Sequence, residues 1–409
     1  MKVLALGGSG GMGRYAVREL AASNLVESIV VADLNTMAAA RFAATLPAKV
    51  GSLGLDVTDR DALRAAMRDA DLVANFVGPF FRFAPPILEC AIECGCHYVD
   101  ICDDWEPTLR MFDQHEAAKG AGITAILGLG ASPGLTNLLA LLSMRELDSV
   151  HTVYTGWNMS GAVPEDESSQ QGANAAMVHG IRQMTGEIRI HRNGLAEMIA
   201  PLEEVAVEYP GLGIHSASVF GHPEAVSFPH HYPEIRTSLN LMHGLGGWES
   251  RAIRAICWLV NQGWLSEVRA AGILEWLERQ GAPASAESPA VDDGLPSVYG
   301  LAIGRKDGKD AAVGATLMEV ADTSMGFVTG VPLACGIELL AAGKITERGV
   351  LAPEGGAIPV LDFFEMLNAK SSLPAAETSD TFVISRSWDP DATSRLVAAV
   401  ERTRKRLNA

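Results

Sequence analysis

Lys2-Val3-Leu4-Ala5-Leu6-Gly7-Gly8-Ser9-Gly10-Gly11-Met12-Gly13 opens the chain, and Asp33 closes the next apolar run, Ile29-Val30-Val31-Ala32. Residues 2–6 read as a buried strand, and residues 14–22 as a helix with Tyr15, Val17 and Leu20 turned toward a core. Between them, Gly8-x-Gly10-x-x-Gly13 has the spacing of a dinucleotide-binding turn. Glycine is needed there because a Cβ would keep a pyrophosphate from the backbone N–H groups and the helix dipole. Gly8, Ser9, Gly10, Gly11, Met12 and Gly13 are thus the candidate phosphate loop. Asp33 lies twenty residues beyond Gly13, where a carboxylate accepts hydrogen bonds from ribose hydroxyls and repels a 2′-phosphate. That points to NAD, while Arg41 on the following helix leaves NADP open.

The same alternation continues downstream. Strands are predicted at 50–55, 72–77, 97–101 and 123–128, with helices at 59–69, where Thr58 can cap, and 85–94. This is a doubly wound parallel sheet, whose ligands bind beyond the carboxyl ends of the strands. Asp56 and Val57, Asn75, Gly78 and Pro79, Asp100 and Gly128 all fall on that edge. From about residue 150 the pattern changes to strands in succession, at 151–157, 187–192, 217–221 and 234–239, with an Asn193-Gly194 turn, the signature of an antiparallel sheet. Helices are predicted at 172–184, 248–261 and 265–279, and a loop over 281–294. A hairpin follows at 298–304 and 311–319. An apolar helix is predicted over 326–342 and a last helix over 391–407. Expected domains are a Rossmann unit over 1–137 and 325–409 and an inserted α+β unit over 138–324, built on a largely antiparallel sheet.

At 409 residues, 48% of them hydrophobic, the chain can bury two cores without covalent staples. Thirty-two basic against 49 acidic side chains give a net charge of −17, which argues against nucleic acid and anionic membranes as partners and favours a cationic substrate. No run reaches the ~20 apolar residues of a membrane helix. A strand beginning at Lys2 leaves no room for a signal peptide, so a cytoplasmic protein is expected. Cys90, Cys94, Cys96 and Cys102 cluster without a C-x-x-C pair and read as free thiols packed as small hydrophobes, with no metal.

Two strand ends carry more than scaffolding requires: Asn75 to Phe80, and Gly128-Leu129-Gly130-Ala131-Ser132-Pro133-Gly134-Leu135-Thr136-Asn137. In the second, Ser132 can cap a helix with Pro133 at its first position, and Asn137 can reach a ligand. These segments, with the glycine loop and Asp33, His97 to Asp100, Gly304 to Gly308, and Ala342 to Val350 followed by Pro353-Glu354, resemble the saccharopine dehydrogenase-like oxidoreductases. The matching pieces run in order over residues 2–354. The Ser-Pro-Gly segment and the Lys344 to Glu354 stretch are most similar to those of lysine 6-dehydrogenases.

The resemblance implies a pyridine nucleotide, a Rossmann domain completed by C-terminal segments, an inserted substrate-binding domain and a homodimer. It also implies hydride transfer on a C–N bond of an amino acid or polyamine-like amine. An enoyl reductase or a non-catalytic nucleotide-binding protein of the same fold are the alternatives. Oxidising a C–N bond requires a neutral amine, and a carboxylate or histidine can take its proton. Asp100, Asp104 and His222 are the candidates. Asp103, with Trp105 offering a ring face, can hold a cationic amine, although Asp103 and Asp104 can equally cap the next helix. Arg236 or Arg305 could pair with a substrate carboxylate. The histidines at 222, 230 and 231 read first as ordinary loop residues with surface or hydrogen-bonding roles, and one facing a cleft would serve as a proton shuttle.

Overall fold

The computed structural model describes residues 1–159, 175–244, 247–281, 294–317, 324–371, 382–389 and 396. The chain divides into two compact units, Met1–Leu138 with Ala321–Thr378, and Leu139–Val320 with Ser379–Ala409.

In the first unit, β1 (Lys2–Leu6), α1 (Gly11–Ala22), β2 (Ser28–Asp33), α2 (Thr36–Ala43) and β3 (Val50–Gly54) form the first half. Next come α3 (Arg60–Met67), β4 (Leu72–Asn75), α4 (Phe80–Cys94), β5 (His97–Asp100), α5 (Trp105–Phe112), α6 (His115–Gly120) and β6 (Thr124–Ile126). A further helix, α7 (Leu135–Arg145), leads out of the sheet.

The second unit contains β7 (Ser149–Asn158), α8 (Ala175–Gln183), β8 (Ile188–Arg192), β9 (Leu195–Ile199), β10 (Glu204–Tyr209) and β11 (Gly213–Phe220). It continues through α9 (Glu224–His231), β12 (Thr237–His243), α10 (Gly247–Asn261), α11 (Glu267–Gly281), β13 (Val298–Lys306) and β14 (Lys309–Leu317). The chain then returns to the first unit with α12 (Met325–Ala341), β15 (Gly349–Leu351) and α13 (Val360–Lys370), and β16 (Phe382–Arg386) follows.

The first sheet is parallel, in the order β15-β6-β5-β4-β1-β2-β3. Its inner strands β1, β4, β5 and β6 are buried on both faces, as a sheet covered twice requires, whereas the edge strand β3 is exposed at four of its five residues. On one face Leu4, Leu6, Val73 and Tyr98 pack with Leu63, Met67, Leu88 and Ala91 of α3 and α4. α12, apolar around its whole circumference and buried at every position from Gly330 to Leu340, lies against α1 and β5. A helix of that composition is stable only when enclosed. The second sheet runs β10-β11-β12-β7-β13-β14-β16, with β8 on β12 and β9 on β8. All of its pairings are antiparallel except β12 with β7.

The structure changes several expected boundaries. The expected Rossmann unit included all of 325–409, yet β16 extends the other sheet by pairing Val313–Leu317 with Phe382–Arg386. α4 starts at Phe80 rather than Pro85 and carries Pro85 and Pro86 inside it. Pro85 has no N–H for the Phe81 carbonyl, and Arg110 donates to that carbonyl instead at 2.7 Å. Asp59, not Thr58, caps α3, accepting from the Asp61 and Ala62 amides. The expected loop over 281–294 and helix over 391–407 fall almost entirely outside the described residues.

Candidate functional site

All strands of the first sheet run the same way, so the segments that follow them meet along one edge. After β1 the chain turns through Gly7 at φ +70° and enters α1. Gly10 precedes α1 without any side-chain cap, so the helix begins with N–H groups available to an anion. The glycines are sterically required. A Cβ on Gly13 would stand 2.7 Å from the Gly7 carbonyl oxygen, and one on Gly8 would stand 2.9 Å from Cβ of Ala5. The Gly7 amide is held by the Ala32 carbonyl at 2.8 Å, which ties the loop to the end of β2. There Asp33 accepts a 2.5 Å hydrogen bond from the Ser9 hydroxyl and a 3.0 Å bond from the Asn35 amide. The Arg14 Nε donates to the Ser9 carbonyl at 2.6 Å. This cradle fits a dinucleotide, with the Gly8–Gly13 turn toward the pyrophosphate and Asp33 toward the adenosine ribose.

Asp56, exposed after β3, accepts from the Thr58 hydroxyl at 2.7 Å and the Thr58 amide at 2.9 Å. Those two bonds hold its carboxyl below the usual range. Val57 packs on the core beside it. After β4, Asn75 is fully buried and spends its side chain inside the protein. Its Oδ1 accepts from Val77 N–H at 3.0 Å, and its Nδ2 donates to the Tyr98 hydroxyl at 2.9 Å. Asn75 thus shapes the Val77-Gly78-Pro79 turn, whose Gly78–Pro79 peptide is cis, and offers a ligand backbone rather than its amide.

Asp100 closes β5 and is fully buried. One carboxylate oxygen accepts from the Tyr98 hydroxyl at 2.7 Å, the other from the Gly128 amide at 2.7 Å and the Cys102 amide at 3.1 Å. Burial pushes its carboxyl up to about 6, while the bonds from Gly128, Tyr98 and Cys102 pull the other way. Both oxygens are occupied by the protein. Asp100 therefore locks the end of β5 to the turn after β6, which corrects the expectation that it meets the substrate amine.

Asp104, expected either to act in proton transfer or to cap α5, does not cap it. It is buried, and its Oδ2 accepts from the Phe81 amide at 3.2 Å, joining α5 to the start of α4. Asp103 and Trp105 are half-buried beside it.

The segment after β6 is a tight loop. Gly128 has φ +70°, and a Cβ there would meet Cγ of Pro133 at 2.5 Å and the Cys102 carbonyl at 2.8 Å. Gly134, at φ +123°, stacks so closely on Gly130 that no side chain fits. Ser132 does not cap the following helix, because α7 starts only at Leu135 and the Ser132–Pro133 peptide, which is cis, lies in the loop. Asn137 replaces it. Fully buried, its Oδ1 accepts from Gly134 N–H at 2.7 Å and its Nδ2 donates to the Glu354 carboxylate at 2.7 Å. Glu354 was not singled out as a site residue. Its signal was its place in Pro353-Glu354, directly after β15.

The candidates of the second unit stand apart from this edge in sequence and in unit. His222 is buried, stacked on Trp157 with ring centroids 5.7 Å apart, and its Nδ1 lies 4.0 Å from the buried Glu224 carboxylate. Glu224 also accepts from the Asn240 amide at 3.0 Å. His222, one of the candidates for taking the amine's proton, is thus enclosed within the second unit. Arg236 is exposed at the foot of β12, where its carbonyl accepts from the Gly194 amide at 2.7 Å. Among the described residues, no group of three or more His, Cys, Asp or Glu could hold a metal ion. No helix among them is long and apolar enough to cross a membrane.

Residues 3–126 match the family described as the saccharopine dehydrogenase NADP binding domain. Carboxyaminopropylagmatine dehydrogenase of Synechocystis sp. is 23% identical over 85% of this chain and 91% of its own. Carboxynorspermidine synthase of Vibrio alginolyticus is 22% identical over 75% and 78%. Among solved structures, saccharopine dehydrogenase (L-Glu forming) of Saccharomyces cerevisiae shares the fold, with a TM-score of 0.60 and 18% identity over 90% of this chain and 97% of that one. A glycine cradle with Asp33, a seven-stranded parallel sheet closed by a returning C-terminal strand, and relatives aligned along most of the length converge: residues 3–126 match a saccharopine dehydrogenase NADP binding domain, and the chain as a whole is similar to saccharopine dehydrogenase-like oxidoreductases.

Proposed function

We propose that this protein transfers hydride between NAD and the carbon of a C–N bond in a small amine of the amino-acid or polyamine type. The observation that carries the cofactor half is the uncapped glycine start of α1 beside Asp33. Although the family name specifies NADP, the Asp33 carboxylate sets a negative charge where a 2′-phosphate would lie, which supports NAD for this chain. The substrate half draws on the two relatives aligned along most of the chain, whose names describe carboxylated polyamine derivatives. The acidic chain, at −17, is compatible with a cationic amine.

When bound, the nicotinamide supplies the hydride acceptor or donor. The protein supplies everything else. Gly8 to Gly13 bind the pyrophosphate, and Asp33 orients the ribose. The Asn75–Tyr98–Asp100 chain fixes the turns after β4, β5 and β6 that border the reacting end. Asp103, half-buried at the start of α5 next to Trp105, is the carboxylate we assign to hold the ammonium and accept its proton. We further propose a cytoplasmic homodimer. All six cysteines are free, which suits a reducing compartment.

Diamines, lysine, secondary amines bearing carboxylates and enoyl thioesters, each offered with NAD(H) and NADP(H), test the reading through nicotinamide absorbance. Turnover of an amine or imine with NAD(H) is expected, with Asp103→Asn lowering kcat/KM at least tenfold. Turnover confined to enoyl thioesters would overturn the C–N assignment. Tight NADH binding with no turnover of any substrate would favour a regulatory protein.

A further inference from the structure

Glu354 is a carboxylate in an unexpected place. It follows β15, where the Ala352 carbonyl accepts from the Gly355 amide at 2.9 Å, so Ala352-Pro353-Glu354-Gly355 is a β-turn with proline at its favoured second position. Such connections ordinarily face water, yet Glu354 is 0% exposed. β15 runs parallel to β6, and the Leu351 carbonyl holds the Leu127 amide at 2.9 Å. The turn therefore emerges on the same edge as the loop that follows β6. There the Glu354 carboxylate accepts from Nδ2 of Asn137 at 2.7 Å, while Oδ1 of Asn137 accepts from the Gly134 amide at 2.7 Å. Burying a charge is costly, and a glutamine would fill the same volume. What the carboxylate adds is direction. It only accepts hydrogen bonds, so it admits the NH2 end of Asn137 and turns the carbonyl end toward Gly134, where a flipped amide would set two donors against each other.

The loop is pinned at its other end by a second buried carboxylate. Asp100 takes the Gly128 amide on its side chain at 2.7 Å and the Leu129 amide on its carbonyl at 2.8 Å. Between the two pins the backbone closes on itself, with the Gly130 amide on the Pro133 carbonyl and the Leu135 amide on the Gly130 carbonyl, each at 2.9 Å. Of residues 128–137 only Ala131 and Ser132 are not buried, so the two carboxylates together present that tip. In the order β15-β6-β5-β4-β1-β2-β3 the winding reverses between β1 and β4, and a dinucleotide lies across such a point with one half on each side. Asp33 marks the adenosine half over β1 to β3, which leaves the nicotinamide half to the loops after β4, β5 and β6. We propose, on the hydride-transfer reading above, that Glu354 is a positioning residue for the nicotinamide half: acting through Asn137, its carboxylate sets the loop after β6 so that Ala131 and Ser132 meet the ring end of the bound cofactor.

Two ligands separate the halves. ADP takes only the adenosine and pyrophosphate subsites, whereas NADH also needs the loop after β6. Titration calorimetry of the full-length protein with each therefore yields a ratio that a general loosening of the fold would leave alone. Glu354→Leu is expected to raise the dissociation constant for NADH about tenfold, the worth of one hydrogen bond to a charged group, and to leave that for ADP unchanged. Glu354→Gln keeps an acceptor facing Asn137 and should bind NADH close to the wild-type level. A second pair of variants serves if Glu354→Leu does not fold. Asn137→Asp keeps the shape of the native side chain but sets two acceptors face to face, and at mildly alkaline pH it should lose NADH affinity to the same extent. Adding Glu354→Gln to it exchanges donor and acceptor across the contact and should restore that affinity. Equal losses for NADH and ADP would overturn the assignment, as would NADH binding that none of these substitutions alters. A wild type that binds neither ligand would overturn the dinucleotide reading, and this assignment with it.

Discussion

Asp100 and Asp33 are two carboxylates on one strand edge with opposite assignments, and their surroundings decide between them. Asp33 is half-buried, with Oδ2 accepting from Ser9 and Oδ1 from Asn35; unlike the enclosed Asp100, it keeps exposed lone pairs that can accept from ribose hydroxyls. Replacing it by serine removes the charge that opposes a 2′-phosphate. Asp33→Ser is expected to move the ratio of kcat/KM for NAD over NADP toward NADP by on the order of tenfold, ~1.4 kcal/mol. An unchanged ratio would show that Asp33 does not touch the ribose. Asp100 is enclosed, and its signature is a pH dependence of stability. Its carboxyl titrates near 6 when folded against 3.8 otherwise, so between those values the folded state keeps a proton that the unfolded state has lost. The stability this confers is complete below pH 3.8, declines as the pH rises through about 6, and is absent above. Asp100→Asn keeps an acceptor for the Gly128 and Cys102 amides and cannot ionise. The difference in unfolding free energy between wild type and variant should therefore drift by about 1–3 kcal/mol across that window in urea titrations. A constant difference would exclude the assignment.

α12 links the returning part of the chain to the cofactor loop. Gly330 approaches the first turn of α1 so closely that an added Cβ would run into the Met12 carbonyl. Gly330→Ala is expected to displace the Met12–Gly13 backbone, raising KM for the dinucleotide severalfold and costing roughly 1–3 kcal/mol of stability. A lowered melting temperature with unaltered cofactor KM would separate packing from binding. Much of this first unit was legible in the sequence, because β1, the glycine turn and Asp33 each obey a local rule: a strand, a Cβ exclusion, a charge at a fixed spacing. What escaped depended on distant partners. α4 could not be read through Pro85 and Pro86, since the Arg110 side chain that satisfies the Phe81 carbonyl arrives from another helix. Asn137 was readable as a polar residue near the edge, but its attachment to Glu354 spans 217 positions. In the second unit, β9 carries neither clean alternation nor a continuous apolar run, and its burial pattern shows why: four of its five residues are exposed. β10 does alternate, with Val205, Val207 and Tyr209 on the inner face, and was readable by the period-2 rule. The Asn193-Gly194 turn was legible because both residues take positive φ, 55° and 81°.

The whole molecule is a nested arrangement: the first unit begins, a second unit of its own sheet intervenes, and α12 and β15 come back to complete the first. β15 pairs β6 through Gly349–Leu351 and covers what would otherwise be an open edge. The order of synthesis gives this nesting a cost. A ribosome making the chain from its N-terminus delivers six strands of the parallel sheet early, yet the helix that encloses α1 and the strand that seals β6 emerge only after the entire inserted unit. During that interval the growing chain carries a bare strand edge and an uncovered helix face, both sites for wrong pairing. Protease resistance of residues 1–138 on stalled ribosomes should therefore appear in one step, when Leu351 has cleared the exit tunnel, and not when β6 does. Chaperone demand in the cell would fall on the middle of translation, and a premature stop within the inserted unit would release the most aggregation-prone form of the chain.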